Sequence, residues 1–172
     1  MSAKNYYMAC LDVEGRRCLV VGEGEMADEK AAGLETCGAV VERVVPSKYR
    51  RRLLKNAFVV MVATGDSALN ERIFREADRR GIACNVADVP DLCNFILPAV
   101  HREGPIAVAV STGGASPALA KRLRSLIAAV VRPEHAELAE ELRAMRPEVK
   151  ARFQSYEERR DYFEEIVRER LS

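Results

Sequence analysis

Metal-binding side chains are scarce in this sequence, and long apolar runs are absent. Only two histidines, His101 and His135, occur among 172 residues, and neither falls in a metal-binding spacing. The five cysteines are widely spaced and include no Cys-x-x-Cys pair, which favours reduced packing residues over a zinc site or a disulfide framework. We therefore predict that the chain itself holds no metal.

The charge balance gives equally little reason to expect a large charged partner. The formal net charge is +1, so neither nucleic acid nor a membrane surface is expected to bind. No apolar run approaches the length of a membrane span, and the first residues lack the pattern of a signal peptide. We therefore expect a cytoplasmic protein with one well-buried domain and a small appendage.

The most informative stretch is a Gly-x-Gly turn at Gly22 and Gly24. Arg16–Val21 before it is predicted to be a buried strand, and Met26–Cys37 after it a helix. This arrangement is typical of the phosphate-binding start of a Rossmann unit. The first glycine permits the tight turn, and the second lets a pyrophosphate approach the backbone and the helix N-terminus. The pattern favours dinucleotide binding over an ordinary turn.

Apolar and helical segments then alternate in the order that a parallel, doubly wound sheet requires. Strands are predicted at Ala39–Val45, Phe58–Ala63 and Ile82–Val86. A short basic helix is predicted at Lys48–Lys55 and a longer helix at Ser67–Arg80. The fold class is therefore α/β with a Rossmann-type parallel sheet.

Other segments lie outside this alternation. Tyr6–Leu11 is expected to form a strand of an edge hairpin, and Ile96–His101 with Pro105–Val110 a second hairpin. A helix is predicted from Pro117 to about Val131, with one apolar stripe and Ser116 as its cap. The charged helical tail after it has too few apolar residues to form a core alone.

Three loops should meet beyond the carboxyl ends of the strands, where open α/β sheets bind ligands. They are Gly22–Met26, Thr64–Ser67 and Asn85–Pro90. In the third loop, Asp88 is a candidate general acid or base. The alternative, that Asp88 is an ordinary turn residue before Pro90, is about equally supported.

Two further positions allow a functional and a structural interpretation. Glu42 has roughly the spacing of a ribose-binding acid, but it lies in the middle of its predicted strand, so we prefer a solvated strand face. The Ser111–Pro117 loop opens a helix and is either a second anion site or a capped turn.

Five blocks of the sequence, in the same order, resemble the N-terminal module family of siroheme synthases. That family comprises the precorrin-2 dehydrogenases and the bifunctional dehydrogenase/sirohydrochlorin ferrochelatases. The blocks are Val20–Lys30, Ala63–Asp66 with Asn70, Cys84–Asp88, Phe95–Pro98 and Val110–Pro117. The first is similar to the family's Val-Gly-Gly-Gly-x-Val-Ala-x-x-Lys signature, and the second to its Ala-Thr-x-Asp…Asn segment.

The resemblance implies NAD⁺-dependent oxidation of precorrin-2 to sirohydrochlorin, followed in many members by insertion of Fe²⁺ or Co²⁺. The family's essential aspartate falls on Asp88, as proton acceptor from the macrocycle. The implied NAD site is lined by Gly22, Gly24, Glu25, Met26 and Thr64, with Pro46 and Ser47 near the adenosine. Asn85, Ser111, Thr112, Gly113, Gly114 and Ser116 are expected at the tetrapyrrole, with the arginines near 50–52 and 122–124 available to its carboxylates.

The family architecture implies a homodimer whose contacts cover the apolar stripe of the 117–131 helix. The expected division is an NAD-binding Rossmann domain at 1–111, a dimerisation region at 112–145 and a small helical C-terminal domain at 146–172. Two positions and one interval depart from the family pattern: Glu23 replaces a glycine, Thr112 replaces a common serine, and the Pro46–Phe58 interval is short. A non-catalytic NAD-sensing module and a chelatase without dehydrogenase activity therefore stay open as alternatives.

Overall fold

The computed structural model describes residues 5–171, and the chain divides into two compact units between Leu97 and Pro98. The first unit contains a four-stranded parallel sheet in the order β2-β1-β3-β4. Its strands are β1 (Arg17–Gly22), β2 (Val40–Val44), β3 (Val59–Ala63) and β4 (Ala83–Val86), and its helices are α1 (Glu25–Glu35) and α2 (Ser67–Asp78). This parallel sheet confirms the predicted α/β class.

Two apolar clusters, one on each face of the sheet, explain why β1 and β3 are apolar throughout. On one face, Cys18 and Val20 pack with Ala27 and Ala31 of α1. On the other, buried side chains of β1, β3 and β4 pack with Ile73 and Ala77 of α2, and these are Leu19, Val21, Val60, Val62, Cys84 and Val86. Because successive strand residues point to opposite faces, a strand covered on both sides reads as a continuous apolar run.

Arg17, the first residue of β1, joins three segments at the amino end of the sheet. Its Nε donates to the Glu42 carboxylate on β2 at 3.0 Å. Its other guanidinium nitrogens donate to the carbonyl oxygens of Leu53 and Lys55, at 2.9 and 2.8 Å. Glu42 therefore forms an ion pair with Arg17 in addition to its partly exposed surface, and this pairing engages it with the first residue of β1.

The second unit contains an antiparallel hairpin, β5 (Ala99–Glu103) and β6 (Ile106–Val110), followed by three helices. The helices are α3 (Pro117–Ala128), α4 (Pro133–Arg152) and α5 (Tyr156–Arg170). The hairpin and the Ser116 cap of α3, whose Oγ accepts from Leu119 N at 3.2 Å, both confirm the prediction. The predicted border at residue 112 lies inside this unit, and the three-part division stays a prediction.

One face of α3 carries an apolar stripe that the described chain leaves open. Leu119, Leu123 and Leu126 of α3, and Val130 just beyond its end, are exposed, although they share a helical spacing that normally faces a core. No helix among residues 5–171 is long and apolar enough to cross a membrane. By their exposure, these side chains form an apolar face that no other part of residues 5–171 covers.

Two local predictions were wrong. Tyr6–Leu11 forms no strand, and most of this segment, including Tyr7 and Leu11, is exposed. The predicted helix at Lys48–Lys55 is replaced by two single 3₁₀ turns, Pro46–Lys48 and Arg51–Leu54. Runs of 3₁₀ geometry longer than a few residues are uncommon, so the segment forms two short turns. Tyr49 and Leu54 are buried, while the basic side chains between them face solvent.

Candidate functional site

A pocket of about 420 Å³ lies at the carboxyl edge of the sheet in the first unit. Four segments contribute: the start of α1, the β3–α2 loop, the first turn of α2 and the loop after β4. Its lining residues are Met26, Ala63, Thr64, Gly65, Ser67, Asn70, Ala87, Asp88 and Val89. Three of the loops predicted to meet at this edge are therefore brought together.

The Gly-x-Gly turn packs closely against the end of β3. A Cβ at Gly22 would lie 2.2 Å from the carbonyl oxygen of Ala63, so no side chain fits at this position. Gly24, with φ of +81°, has open space around it and adopts a backbone conformation that favours glycine. The turn thus leaves the backbone accessible at the start of α1.

The first turn of α1 has no side-chain cap, in contrast to α2. Gly24 provides no oxygen for the first N–H groups of α1, whereas Asp66 Oδ1 accepts from Leu69 N at 3.0 Å in α2. Orphan N–H groups at a helix start need a partner, and an anion supplies one. The uncapped start of α1 therefore fits the pyrophosphate of a dinucleotide, although the exposed Glu23 and Glu25 add negative charge beside it.

The loop after β3 is held in place by hydrogen bonds of Thr64. Its Oγ1 donates to Oδ1 of Asn70 at 2.6 Å and accepts from Asp66 N at 3.1 Å. Asn70 is buried, so this bond anchors the loop to the interior of α2. Thr64 therefore lines the pocket in a position fixed before any ligand binds, as cofactor sites usually require.

Asp88 lies in the pocket in an unusual backbone conformation. Its φ is +59°, a value that non-glycine residues adopt rarely and that aspartate tolerates better than most. Ala87 N donates to Val62 O at 2.8 Å and ties the preceding residue to β3. The Asp88 side chain is exposed, and in the chain from residue 5 to 171 its carboxylate forms no hydrogen bond or ion pair. An unpaired carboxylate held at a pocket is free to accept a proton from a ligand.

Asn85 is buried in β4 and does not line the pocket. Its Nδ2 donates to Phe95 O at 3.2 Å, and its Oδ1 accepts from Lys30 Nζ at 3.2 Å. Cys93 Sγ lies 3.5 Å from the same amide nitrogen. These bonds hold the loop after β4 against its strand, so a positioning role fits Asn85 better than substrate contact. The sequence did not predict this hydrogen bond of Lys30, although Lys30 is the last residue of the Val20–Lys30 block.

Pro46 and Ser47 form the 3₁₀ turn directly after β2, the strand beside β1. Neither lines the Asp88 pocket. Their place beyond the carboxyl end of β2 is where the adenosine half of a dinucleotide lies in a Rossmann unit. No acidic side chain follows β2 directly, since the next residues are Val45, Pro46, Ser47 and Lys48.

The remaining predicted substrate residues belong to the second unit, where hydrogen bonds within their own loop organise them. Thr112 Oγ1 accepts from Ser116 N at 3.0 Å, and Ser111 Oγ accepts from Gly113 N at 3.2 Å. Ser116 Oγ caps α3, and Gly113 and Gly114 adopt positive φ. The loop is therefore a capped turn, and its role as an anion site stays a prediction.

Comparisons with known proteins cover almost the whole chain. A family model described as putative NAD(P)-binding matches residues 9–99. The sirohaem biosynthesis protein central model matches residues 103–129, and the sirohaem synthase dimerisation region matches residues 134–172. Siroheme synthase of Nitrosococcus oceani is 33% identical over 94% of this chain, and that of Methylobacillus flagellatus is 35% identical over 91%.

The alignments cover 39% and 38% of those two relatives, so the chain spans about two fifths of their length. A solved structure titled SirC, precorrin-2 dehydrogenase, has a TM-score of 0.74 and 26% identity, covering 97% of this chain and 93% of that one. Sequence and fold therefore agree over both units. The chain belongs to the family of the siroheme synthase N-terminal module, and its first unit is an NAD(P)-binding domain.

Proposed function

We propose that this chain oxidises precorrin-2 to sirohydrochlorin with NAD⁺, in siroheme or cobalamin biosynthesis. The observation that carries the proposal is the unpaired Asp88 carboxylate in the pocket that also contains the start of α1 and the Thr64 loop. The similarity to the solved structure of a precorrin-2 dehydrogenase supports precorrin-2 as the substrate. The match to the NAD(P)-binding family model supports NAD⁺ as the cofactor.

The residues present fit a dinucleotide. The backbone around Gly24 and the uncapped start of α1 would hold the pyrophosphate, with Glu25 and Met26 in that first turn. Thr64 would line the nicotinamide side, and Pro46 and Ser47 the adenosine side. Bound NAD⁺ supplies a hydride acceptor.

Oxidation removes two hydrogens from the macrocycle, one as a hydride and the other as a proton. Asp88 takes the proton. The balance is one hydride to the cofactor and one proton to the carboxylate, with a new double bond in the macrocycle. Since Asp88 has no hydrogen-bond or ion-pair partner among residues 5–171, its carboxylate oxygens are open to the proton of a bound ligand. Asn85, Lys30 and Phe95 hold the loop that carries it.

Asp88→Asn tests this assignment, with Asp91→Asn as the matched control. Asp91 lies in the same loop, is exposed and does not line the pocket. We expect Asp88→Asn and Asp88→Ala to lower kcat by about 10²-fold or more, the usual value for losing a general base, with NAD⁺ affinity unchanged. Asp91→Asn should retain wild-type kcat. A fully active Asp88→Ala enzyme would remove this carboxylate from the mechanism.

The tetrapyrrole contacts and the assembly are further parts of the proposal. The carboxylates of the macrocycle would meet Ser111, Thr112, Gly113, Gly114 and Ser116, whose loop opens α3. A homodimer would cover the exposed stripe of α3, since the matched dimerisation region follows this helix. The cytoplasmic location expected from the sequence stays a prediction.

Metal insertion is a second step that the same pocket would serve. In that step Fe²⁺ or Co²⁺ is a substrate, and the Asp88 carboxylate would take the pyrrole protons that the metal displaces. No group of three His, Cys, Asp or Glu side chains that could hold a metal ion occurs in the part of the chain that the structure describes. The metal would therefore be held by the macrocycle's own nitrogens.

One anaerobic assay separates the proposal from its alternatives. Purified protein is incubated with precorrin-2 and NAD⁺, NADH and the tetrapyrrole spectrum are followed, and Fe²⁺ or Co²⁺ is then added. NADH together with sirohydrochlorin supports the dehydrogenase, and a metal-dependent spectral change adds chelation. Absence of NADH, with metal uptake into supplied sirohydrochlorin, indicates a chelatase; absence of both indicates an NAD-sensing module.

A further inference from the structure

A second, strongly basic concavity lies at the other end of the sheet in the first unit. It has a volume of about 580 Å³, and four of its lining residues are Arg51, Arg52, Lys55 and Arg80. These residues precede β3 and β4, whereas the Asp88 pocket follows the same strands. The two sites therefore lie at opposite edges of the parallel sheet. We name this site the basic concavity.

The basic concavity has no compensating negative charge. Its lining contains no Asp or Glu, and among residues 5–171 no carboxylate forms an ion pair with any of its four cations. Other arginines of the same unit are paired: Arg17 with Glu42, Arg43 with Asp28 and Arg75 with Glu71. The four cations of the concavity are therefore not neutralised by an ion pair within the described chain.

Four like charges around one depression repel each other, and a multivalent anion relieves that repulsion. Arginine suits such an anion because its planar guanidinium binds phosphate or carboxylate through two parallel N–H donors. One Arg80 nitrogen donates to Glu76 O at 2.8 Å, which leaves its remaining donors free and holds the side chain at the end of α2.

The shape and the remaining lining restrict the class of anion. Leu54, Ala57 and Ile82 supply small apolar contacts, and none of the lining residues is aromatic. A nucleobase or a macrocycle would therefore find no aromatic ring on which to stack. The concavity suits a compact anion whose charged groups make up most of its surface.

We propose that the basic concavity binds a compact polyanion that carries two or more phosphate or carboxylate groups. This site is separate from the cofactor and from Asp88, so its ligand is not the oxidised substrate. Arg51 and Arg52 lie at the end of the sheet away from Asp88, so under this proposal they serve a different ligand, and the expectation that the arginines near 50–52 contact the substrate carboxylates stays a prediction.

The test uses the full chain, saturated with NAD⁺ so that the start of α1 is occupied. Inorganic tripolyphosphate and, separately, citrate are titrated into ¹⁵N-labelled protein at physiological ionic strength. We expect saturable shifts of the amides in residues 51–57 and 80–82. Binding of tripolyphosphate but not of citrate would indicate a ligand that carries phosphate groups. Equal binding of both would indicate that the concavity recognises negative charge and does not distinguish phosphate from carboxylate.

Matched variants locate the binding. Arg52→Gln with Arg80→Gln should weaken the titrated anion by about tenfold or more, since two charge-assisted contacts are lost. Arg143→Gln with Arg146→Gln removes the same charge from exposed positions of the second unit and should change Kd less than twofold. The lysine pair, Arg52→Lys with Arg80→Lys, keeps the charge and should recover part of the affinity. Shifts scattered over the surface, no saturable binding, or equal loss in the control pair would overturn the proposal.

Discussion

Replacing Gly22 by alanine introduces one methyl group at the point where the cofactor turn touches β3. The new Cβ would lie 2.2 Å from the Ala63 carbonyl oxygen, whereas ordinary contacts begin near 3.4 Å, so the two backbones must separate by about 1 Å. Gly22 and Ala63 are the last paired residues of β1 and β3. The ends of the strands can therefore part without disrupting the whole sheet, and we expect the overpacking to cost about 1–3 kcal/mol.

For a chain of this length, that cost lowers the thermal midpoint by about 2–4 °C per kcal/mol. The displaced turn also moves the start of α1 relative to Thr64, so the dissociation constant for NAD⁺ should rise by about tenfold or more, since a pre-formed site is lost. Differential scanning calorimetry measures the first effect, and titration calorimetry with NAD⁺ the second.

Gly81→Ala is the control for the backbone effect alone. Gly81 has φ of +66° and nothing within 4 Å of an added Cβ, so alanine there costs conformational energy without a clash. It should lower the thermal midpoint and leave NAD⁺ affinity unchanged. The reasoning is refuted if Gly22→Ala binds NAD⁺ as tightly as the parent chain, or if Gly81→Ala loses the same affinity.

Three smaller perturbations test other contacts. Burial, and then the hydrogen bond to Glu76, raise the pKa of Tyr49 well above its usual value. The neutral phenol therefore contributes its whole share of the free energy of unfolding below about pH 10, and this share declines as the pH rises further. Urea unfolding measured against pH should show that decline in the parent chain and lose it in Tyr49→Phe. Leu123→Glu should convert a dimer into monomers in sedimentation velocity, since it charges the exposed stripe of α3. Hydrogen bonds from Ser155 lower the pKa of Glu158, so the stability that its carboxylate adds to α5 is lost as the pH falls below the usual pKa of a glutamate. Glu158→Gln should therefore unfold at a lower temperature than the parent at neutral pH, and at the same temperature as the parent at low pH.

The parts of the fold that the sequence predicted are those with a strong local signal. β1 and β3 are apolar on both faces because helices cover both, and α3 begins at a serine and a proline whose chemistry favours a helix start. The hairpin of β5 and β6 turns at Gly104, where φ is +52° and an added Cβ would lie 2.9 Å from Ala136. In each case the signal is carried by residue types within the segment itself.

The failed prediction of a strand at Tyr6–Leu11, and the contacts that the sequence did not predict, depend on partners that the local sequence does not specify. Tyr6–Leu11 has the composition of a strand, but a strand forms only when a neighbour accepts its backbone hydrogen bonds, and the sheet ends at β2 and β4. The ion pair of Glu42 requires Arg17, 25 residues away in sequence. The separation of Arg51 and Arg52 from Asp88 likewise follows from the sheet topology.

The candidate site was predicted in part for the same reason. The glycine turn, Thr64 and Asp88 follow strands directly, so their meeting at one edge follows from the parallel order alone. The bonds of Lys30 and Phe95 to Asn85 join residues far apart in sequence, and only the folded chain shows them. The catalytic and binding roles of these residues stay predictions until the variants are measured.

The triple contact of Arg17 limits where this chain can tolerate extra residues. The guanidinium fixes the carbonyls of Leu53 and Lys55 beside the first residue of β1, so the last part of the crossover from β2 to β3 has a set length. The stretch from Ser47 to Arg52 is exposed except at Tyr49 and carries no contact to Arg17. Insertions should therefore be accepted between Arg50 and Arg52 and rejected between Leu53 and Phe58. This chain could therefore be lengthened or tagged there without altering the edge of the sheet that contains the start of α1 and Asp88.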